Sequence, residues 1–191
     1  MGLNQEELRR RLQESCPPIE AERLFSGPGV PAAVLIGLLT HPDGPHIILT
    51  HRHAGLKNHA AEISLPGGRV EATDAGPAEA ALREAFEEIG LASHKVELMG
   101  CLPAYMTVSG FSVYPFVGWV EPPVEFALDP REVVEVFEVP LSFVLDPANH
   151  RRESAVLGGK LRDFYVLPYP AHRIWGATAE ILVNLASALS S

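Results

Sequence analysis

The chain has few cysteines, an excess of acidic residues and no long apolar run. Its two cysteines, Cys16 and Cys101, occur in unrelated contexts, so we expect reduced thiols and no disulfide framework. The chain has 15 lysines and arginines and 24 acidic residues, which gives a net charge of −9. This charge argues against nucleic acid as the main partner. The longest apolar run, residues 32–39, is far shorter than a membrane span and predicts a buried strand. No membrane partner is therefore expected.

The composition predicts one main domain with an N-terminal addition. Hydrophobic residues make up 47% of the 191 residues, which is enough for a sizeable single core. The first residues lack the charged-then-apolar layout of a signal peptide, so we expect a cytoplasmic protein. Pro17, Pro18 and residues 26–29 mark a loose connection. We predict an N-terminal helix and linker over residues 1–29 and a globular domain over residues 30–191.

Helix and strand patterns are mixed along the chain without regular alternation. Asn4 followed by Glu7 resembles a helix capping box and predicts a helix to about residue 14. This mixture favours an α+β fold, or an α/β/α sandwich with a mixed β-sheet. Residues 131–139 carry both helix and strand signals, and their structure is left open. Strands are predicted at 32–39, 46–50, 96–102, 112–120 and 161–166, and helices at 140–145 and 174–189, with a loop over 52–64.

A glycine turn followed by a helix is the most informative feature of the chain. Gly67 and Gly68 precede a helix that begins near Pro77, and Gly90 is its predicted stop. Apolar residues at steps of four, three and four form a stripe along this helix (Ala78, Leu82, Ala85, Ile89), and the acidic residues are expected off that stripe.

Three carboxylates share one side of the predicted helix. Glu84, Glu87 and Glu88 stand at i, i+3 and i+4, where like charges repel one another. A hard divalent cation relieves that repulsion, because Mg²⁺ prefers carboxylate oxygens and usually binds through a few carboxylates together with substrate phosphates. The pattern therefore predicts a metal site for phosphate chemistry.

This stretch resembles the Nudix box, in which a glycine, a lone glutamate and an Arg-Glu block occur at fixed spacing. Gly68 matches the glycine, Asp74 stands at the lone glutamate, and residues 83–91 match the Arg-Glu block. The gap between Asp74 and Arg83 is eight residues, one longer than the general pattern. The resemblance implies a mixed-sheet α/β/α sandwich and hydrolysis of a nucleoside diphosphate linked to another moiety.

The resemblance also implies roles for the residues of the box. Glu84 and Glu88 would share one metal ion, Mg²⁺ or Mn²⁺, and Glu87 would bind a second. The carbonyl of Gly68 corresponds to the backbone ligand of the family. Arg83 would brace the loop through Asp74 or Glu71 rather than touch the substrate.

A second, more specific resemblance is to the coenzyme A pyrophosphatase subgroup of Nudix enzymes. Its upstream signature matches residues 48–68 with the spacing kept throughout. The chain departs from that signature at four positions, which hold His53, Lys57, Ala61 and Leu65. The likeness extends from about residue 32 to residue 185, which leaves only the N-terminal helix outside it.

The subgroup resemblance implies cleavage of coenzyme A or a derivative to 4′-phosphopantetheine and 3′,5′-ADP. Arg52 and Lys57 are candidates for binding the substrate phosphates, and His53 for lining the mouth of the substrate site. Lys57 keeps the charge of the arginine that it replaces but lacks the planar fork. The base that activates water is left open between Glu132, Glu135 and a glutamate of the box.

Two alternatives to this function follow from the same residues. One is another Nudix activity, on ADP-ribose or a dinucleotide, which the four departures keep open. The other is a ligand-binding or regulatory protein that keeps the fold without turnover, against which the intact set of Glu84, Glu87 and Glu88 argues.

Histidines crowd into one region of the sequence. A zinc site needs three or four converging ligands, and the sequence shows no partner set for these residues. We therefore expect them to be surface or loop residues. The five are His41, His46, His51, His53 and His59.

Overall fold

A mixed β-sheet between helices forms the centre of the protein. The computed structural model describes residues 4–16, 28–56, 59–157 and 159–190. The main sheet has the order β3-β2-β1-β7-β5, and β4, β6 and β8 pair with β1, β7 and β2. The strands are β1 Val30–His41, β2 Gly44–Arg52, β3 Ile63–Ser64, β4 Gly67–Arg69, β5 Val96–Cys101, β6 Tyr105–Met106, β7 Phe111–Val120, β8 Val133–Pro140, β9 Arg151–Leu157, β10 Lys160–Tyr169 and β11 His172–Trp175, and the helices are α1 Gln5–Ser15, α2 Pro77–Ile89, α3 Leu141–Leu145 and α4 Gly176–Leu189.

Strand β1 lies in the middle of the sheet and confirms the strand predicted at residues 32–39. It pairs with β7 in parallel and with β2 and β4 antiparallel. Its side chains are buried on both faces, which explains why its sequence is a continuous apolar run rather than an alternating one. Parallel and antiparallel pairs in one sheet confirm the predicted mixed sheet.

Helix α2 covers one face of the sheet. It begins at Pro77 and ends before Gly90, whose φ of +71° is left-handed, so both predicted boundaries are confirmed. The apolar stripe is broader than predicted, because Ala80 and Ala81 are buried together with Ala85 and Ile89. The expectation that the acidic residues lie off this face is wrong for Glu88, which is buried beside Ala81 and Ala85. Successive helical residues are 100° apart, which places Glu88 close to the direction of Ala81.

Helices α1, α3 and α4 lie against the other core, on the opposite side of the sheet. Leu8 and Leu12 of α1 are fully buried in the same cluster as Leu182 and Leu185 of α4. The Asn4 side chain accepts a hydrogen bond from the N–H of Glu7 at 2.9 Å, which gives the first half of the predicted capping box. The Glu7 carboxylate instead binds Arg10 and Arg11 within the helix. The predicted division of the chain between residues 29 and 30 stays a prediction.

A second sheet of three antiparallel strands, β9-β10-β11, precedes α4. The strand predicted at residues 161–166 lies within β10. The prediction of a helix from residue 174 is wrong for its first two residues, because Ile174 and Trp175 pair with Leu167 and Val166 of β10. The open segment 131–139 forms strand β8 from Val133. None of the helices in the described ranges is long and apolar enough to cross a membrane.

Replacing Gly90 by alanine should destabilise the fold more than replacing Gly176. Both glycines have a left-handed φ, +71° and +63°, so both alanines carry a backbone strain of about 1–2 kcal/mol. Only the new Cβ at position 90 would also meet a neighbour, the Cβ of Ala127 at 2.8 Å, whereas position 176 is open. Urea unfolding of the two variants measures the difference, and equal losses of unfolding free energy would contradict the predicted role of the Ala127 contact.

Candidate active site

The glycine pair opens the short strand β4 beside helix α2, where the sequence predicted a turn. Gly67 and Gly68 pair with Val34 and Ala33 of β1. A Cβ on Gly67 would lie 2.3 Å from the carbonyl oxygen of Ala33, and one on Gly68 would lie 2.3 Å from a carboxylate oxygen of Glu84. A Cβ at position 67 would meet the backbone of β1, so the strand pairing requires glycine there. A Cβ at position 68 would meet only the Glu84 carboxylate and would displace it.

Glu88 is a buried carboxylate whose cationic partner among the described residues is Arg52. The Glu88 side chain is 2% exposed. It accepts hydrogen bonds from Nη1 of Arg52 at 3.0 Å and from the N–H of Gly67 at 3.2 Å. Burial raises the pKa of Glu88 to about 7, helped by the carboxylates of Glu84 and Glu132 and opposed by Arg52 and the Gly67 N–H.

Glu84 and Glu87 are linked to each other through Arg83. Nη1 of Arg83 donates to Oε1 of Glu84 at 3.1 Å and to Oε2 of Glu87 at 3.0 Å. Glu84 is largely buried, and this burial raises its pKa. The charges of Glu87 and Glu132 raise the pKa further, whereas Arg83 lowers it. Glu87 lies at the surface with 57% of its side chain exposed. The three carboxylates therefore form a row from the interior to solvent.

Arg83 also holds the loop between the glycine turn and the helix. Its Nε and Nη2 donate to the two oxygens of Asp74 at 2.9 and 3.1 Å, and Nη2 also donates to the carbonyl of Arg69 at 3.0 Å. Glu71 takes part through its backbone, since its N–H donates to Asp74 at 2.8 Å. The shorter side chain of Asp74 therefore reaches Arg83 without the extra methylene of glutamate. These hydrogen bonds lower the pKa of Asp74 below its usual value of 3.8.

The structure separates the two candidate bases, Glu132 in the turn before β8 and Glu135 within β8. Glu132 is close enough to Glu84 and Glu88 for its charge to raise both pKa values. Glu135 instead accepts a hydrogen bond from Nε2 of His172 at 3.1 Å, and its pKa is lowered mainly by that bond. No local sequence signal connects Glu135 with His172, because the pair forms only when β11 folds back beside β8.

Of the three predicted substrate-binding residues, Arg52, His53 and Lys57, the structure shows only Arg52 in contact with the carboxylate cluster. Arg52 makes this contact through Glu88, whereas Nδ1 of the His53 ring accepts a hydrogen bond from the N–H of Gly55 at 2.9 Å within its own loop. Lys57 lies outside the described residues. Two departures from the upstream signature have structural meaning: Leu65 is buried in the core at 3% exposure, and Ala61 has a left-handed φ of +57°, which is the conformation that glycine adopts without strain.

The donor chemistry of this cluster fits a hard divalent cation. Glu84 lies against Gly68 and Glu88 against Gly67, and the charge of Glu132 acts on both glutamates. Among the described side chains, Arg52 and Arg83 are the direct cationic partners of Glu84, Glu87 and Glu88. Four carboxylates against two guanidinium groups leave an excess of negative charge, which adds to burial, the main cause of the raised pKa values of Glu84 and Glu88. Carboxylate and carbonyl oxygens are the ligands that Mg²⁺ and similar ions prefer.

Comparison with known proteins places this site in a family. The family model described as the NUDIX domain matches residues 30–157. A protein of Salmonella paratyphi B, named as an uncharacterised Nudix hydrolase NudL, is 38% identical over 155 residues, which cover 81% of this chain and 80% of the relative. The NudL protein of Salmonella newport gives the same values.

The chain belongs to the Nudix family. It is thereby a hydrolase that acts on the phosphoanhydride linkage of nucleoside diphosphate derivatives, in a family that generally uses divalent metals such as Mg²⁺ or Mn²⁺. The confirmed part of the sequence interpretation is the family and its type of reaction.

Solved Nudix structures share the fold. A Nudix hydrolase from M. smegmatis, RenU, is similar with a TM-score of 0.51 and 20% identity, over 62% of this chain and 81% of that one. The Ap4A hydrolase of C. elegans has a TM-score of 0.51 and 19% identity, over 58% and 80%. These likenesses confirm the predicted Nudix-type sandwich.

The ion pair between Asp74 and Arg83 should make stability pH-dependent in acid. Because the pKa of Asp74 is below 3.8 in the folded protein, its contribution is complete above that value and is lost as the pH falls further. Asp74→Asn should therefore cost about 1–3 kcal/mol at pH 6, and the gap to the wild type should narrow below pH 3.8. Urea unfolding across pH measures this gap.

Glu71→Gln is the matched control, since it removes an exposed carboxylate from the same loop while the backbone N–H that binds Asp74 remains. Its unfolding free energy should follow that of the wild type. A pH-independent gap between Asp74→Asn and the wild type would show that the charge of Asp74 contributes nothing.

Proposed function

We propose that this Nudix hydrolase cleaves the diphosphate linkage of coenzyme A or a derivative, releasing 4′-phosphopantetheine and 3′,5′-ADP. The observation that carries the proposal is the contact between Arg52 and Glu88 at 3.0 Å. Arg52 belongs to the upstream signature that resembles the coenzyme A subgroup, and Glu88 belongs to the carboxylate cluster. The two motifs therefore border one site, as recognition and cleavage of a single substrate require.

In this proposal Glu84, Glu87, Glu88 and the carbonyl of Gly68 hold Mg²⁺ or Mn²⁺. When bound, such an ion neutralises charge on the diphosphate oxygens and makes a water molecule more acidic. The chain prepares the ligands for this role. Arg83 restrains Glu84 and Glu87 through one nitrogen, and the Gly67 N–H orients Glu88, so less ordering is needed when the cation and substrate arrive.

Glu132, in the turn before β8, is better placed than Glu135 for taking a proton from water. Its charge acts on Glu84 and Glu88, and its backbone carbonyl is fixed by the N–H of His53 at 2.7 Å. Glu135 is engaged with His172. We therefore propose Glu132 or a glutamate of the box as the base, and a charge-pairing role for Glu135.

Arg52 is proposed to contact both Glu88 and a phosphate oxygen of the substrate. Its Nη1 is used by Glu88, while its buried Nε has no hydrogen-bond partner in the described part of the chain. A guanidinium offers five donors in a planar fork, so it can serve a carboxylate and a phosphate together. Lys57 and His53 remain proposed substrate contacts, and a cytoplasmic location belongs to the same proposal.

Glu88→Gln should abolish turnover with little loss of fold. The amide keeps the shape of the side chain but removes the charge that holds the cation, and losing several kcal/mol of transition-state stabilisation lowers kcat about 100-fold or more. Glu79→Gln on the same helix is the control, because glutamine can keep the hydrogen bond that Glu79 accepts from Ala75. An undiminished rate for Glu88→Gln would overturn the mechanism.

The substrate assignment is tested by the products of the purified protein with Mg²⁺ or Mn²⁺. We expect coenzyme A to give 4′-phosphopantetheine and 3′,5′-ADP, identified by mass, faster than 3′-dephospho-coenzyme A, ADP-ribose or a dinucleotide is cleaved. Cleavage of ADP-ribose or a dinucleotide without coenzyme A would keep the metal site and reject the subgroup. If none of these is cleaved although metal binds, a ligand-binding role would be favoured.

Arg52→Lys should raise KM for coenzyme A about tenfold, with a smaller fall in kcat. Lysine keeps the charge beside Glu88 but cannot donate to two oxyanions through a planar fork, so binding of the diphosphate suffers first. Arg69→Lys is the control, since Arg69 is an exposed arginine placed over the Phe111 ring at 5.2 Å. If only kcat fell and KM stayed unchanged, Arg52 would act through Glu88 alone and would not bind the substrate.

A further inference from the structure

A second group of metal-ligating side chains lies at the far end of strand β2. His41 ends β1, Asp43 lies in the turn, and His46 lies near the start of β2; one ligand atom from each lies within 4.8 Å of the others. His46 is six residues from Arg52 on the same strand, about 20 Å away at 3.4 Å per residue. The group is therefore separate from the carboxylate site.

Strand register places the two histidines and a fourth side chain on one face of the sheet. His46 lies opposite Leu39, so His41, two residues along β1 from Leu39, has the same orientation. On the other side of β2, Glu138 lies opposite Ile48, which again shares the face of His46. Strand pairing therefore fixes His41, His46 and Glu138, while the position of Asp43 depends on the turn.

His46 is already oriented as a metal ligand. Its Nδ1 lies 3.1 Å from the carbonyl oxygen of Gly44, and since a carbonyl only accepts, Nδ1 carries the hydrogen. In the neutral ring this leaves the lone pair on Nε2, which lies 3.7 Å from Oδ2 of Asp43. That gap is too long for a hydrogen bond, but two ligands of one zinc ion lie about 3–4 Å apart.

Glu138 supplies the support that a ligating histidine requires. Its carboxylate contacts Nε2 of His41, and metal-bound histidines commonly use their second nitrogen to bind a carboxylate or carbonyl. His46 is the more buried histidine, with 13% of its side chain exposed, whereas Asp43 is 71% exposed. A largely buried imidazole beside an exposed carboxylate leaves the site open to an ion from solvent.

We propose that His41, Asp43 and His46 form a zinc-binding site at the β1–β2 turn, with Glu138 orienting His41. Two imidazoles and a carboxylate suit Zn²⁺, while Mg²⁺ prefers oxygen ligands alone. This site differs in ligand chemistry from the carboxylate cluster and does not depend on the proposed function. The structure gives His41 and His46 a neighbouring ligand group, with Asp43, that the sequence did not show.

The test is titration of the full, tag-free, metal-stripped chain with Zn²⁺, by calorimetry, in excess Mg²⁺. We expect one Zn²⁺ per chain to bind in the wild type and in the double variant E84Q/E88Q. His46→Ala and Asp43→Asn should each weaken Zn²⁺ binding at least tenfold, and Glu138→Gln should weaken it less than His46→Ala does. Asp43→Asn keeps the size of an exposed turn residue, so weaker Zn²⁺ binding by this variant would not reflect misfolding.

His94→Ala is the matched control, because His94 is an exposed histidine in the short turn before β5, and it should bind Zn²⁺ like the wild type. A melting temperature that rises with Zn²⁺ in the wild type but not in Asp43→Asn would support the site independently. The proposal is overturned if the wild type binds no Zn²⁺, if E84Q/E88Q removes all binding, or if His46→Ala and Asp43→Asn bind as tightly as the wild type.

Discussion

The buried charge of Glu88 is the constraint on which the active site depends. Removing a carboxylate from water costs several kcal/mol unless it is paired and hydrogen-bonded. Arg52 and the Gly67 N–H provide those partners at 3.0 and 3.2 Å. Because they come from β2 and β4 while Glu88 comes from α2, the hydrogen bonds of this carboxylate connect three elements at the site. Strand β4 can approach β1 this closely because Gly67 has no Cβ, and Glu84 can lie against Gly68 for the same reason.

The same constraint explains why the carboxylates differ although they share a helix. Glu88 is buried, Glu84 is partly covered, and Glu87 is exposed, so burial raises the pKa of the first two. A helix that gathers these charges is unfavourable by itself. The arrangement is consistent with a site whose negative charge is balanced by arginines on one side and by a cation on the other.

The local signals of the sequence predicted α2 and its limits, because Pro77 and Gly90 act on the backbone of their own neighbours. The burial of Glu88 could not be predicted in this way, since Arg52 is 36 residues distant and periodicity assigns a charged residue to the outer face. Ile174 and Trp175 show the same limit. Their apolar spacing continues that of α4, yet pairing with β10 makes them strand. Contacts between distant segments decided both cases.

The four departures from the upstream signature divide by what their side chains do. Leu65 is buried in the core, so its exchange with a larger apolar residue is a matter of packing. Ala61 has a left-handed φ, which explains why the signature has glycine there and implies a local strain of about 1 kcal/mol. Neither change alters the charges at the carboxylate cluster. Of the four departures, His53 and Lys57 are therefore the two that could change which substrate is bound. Both follow Arg52 closely along the chain.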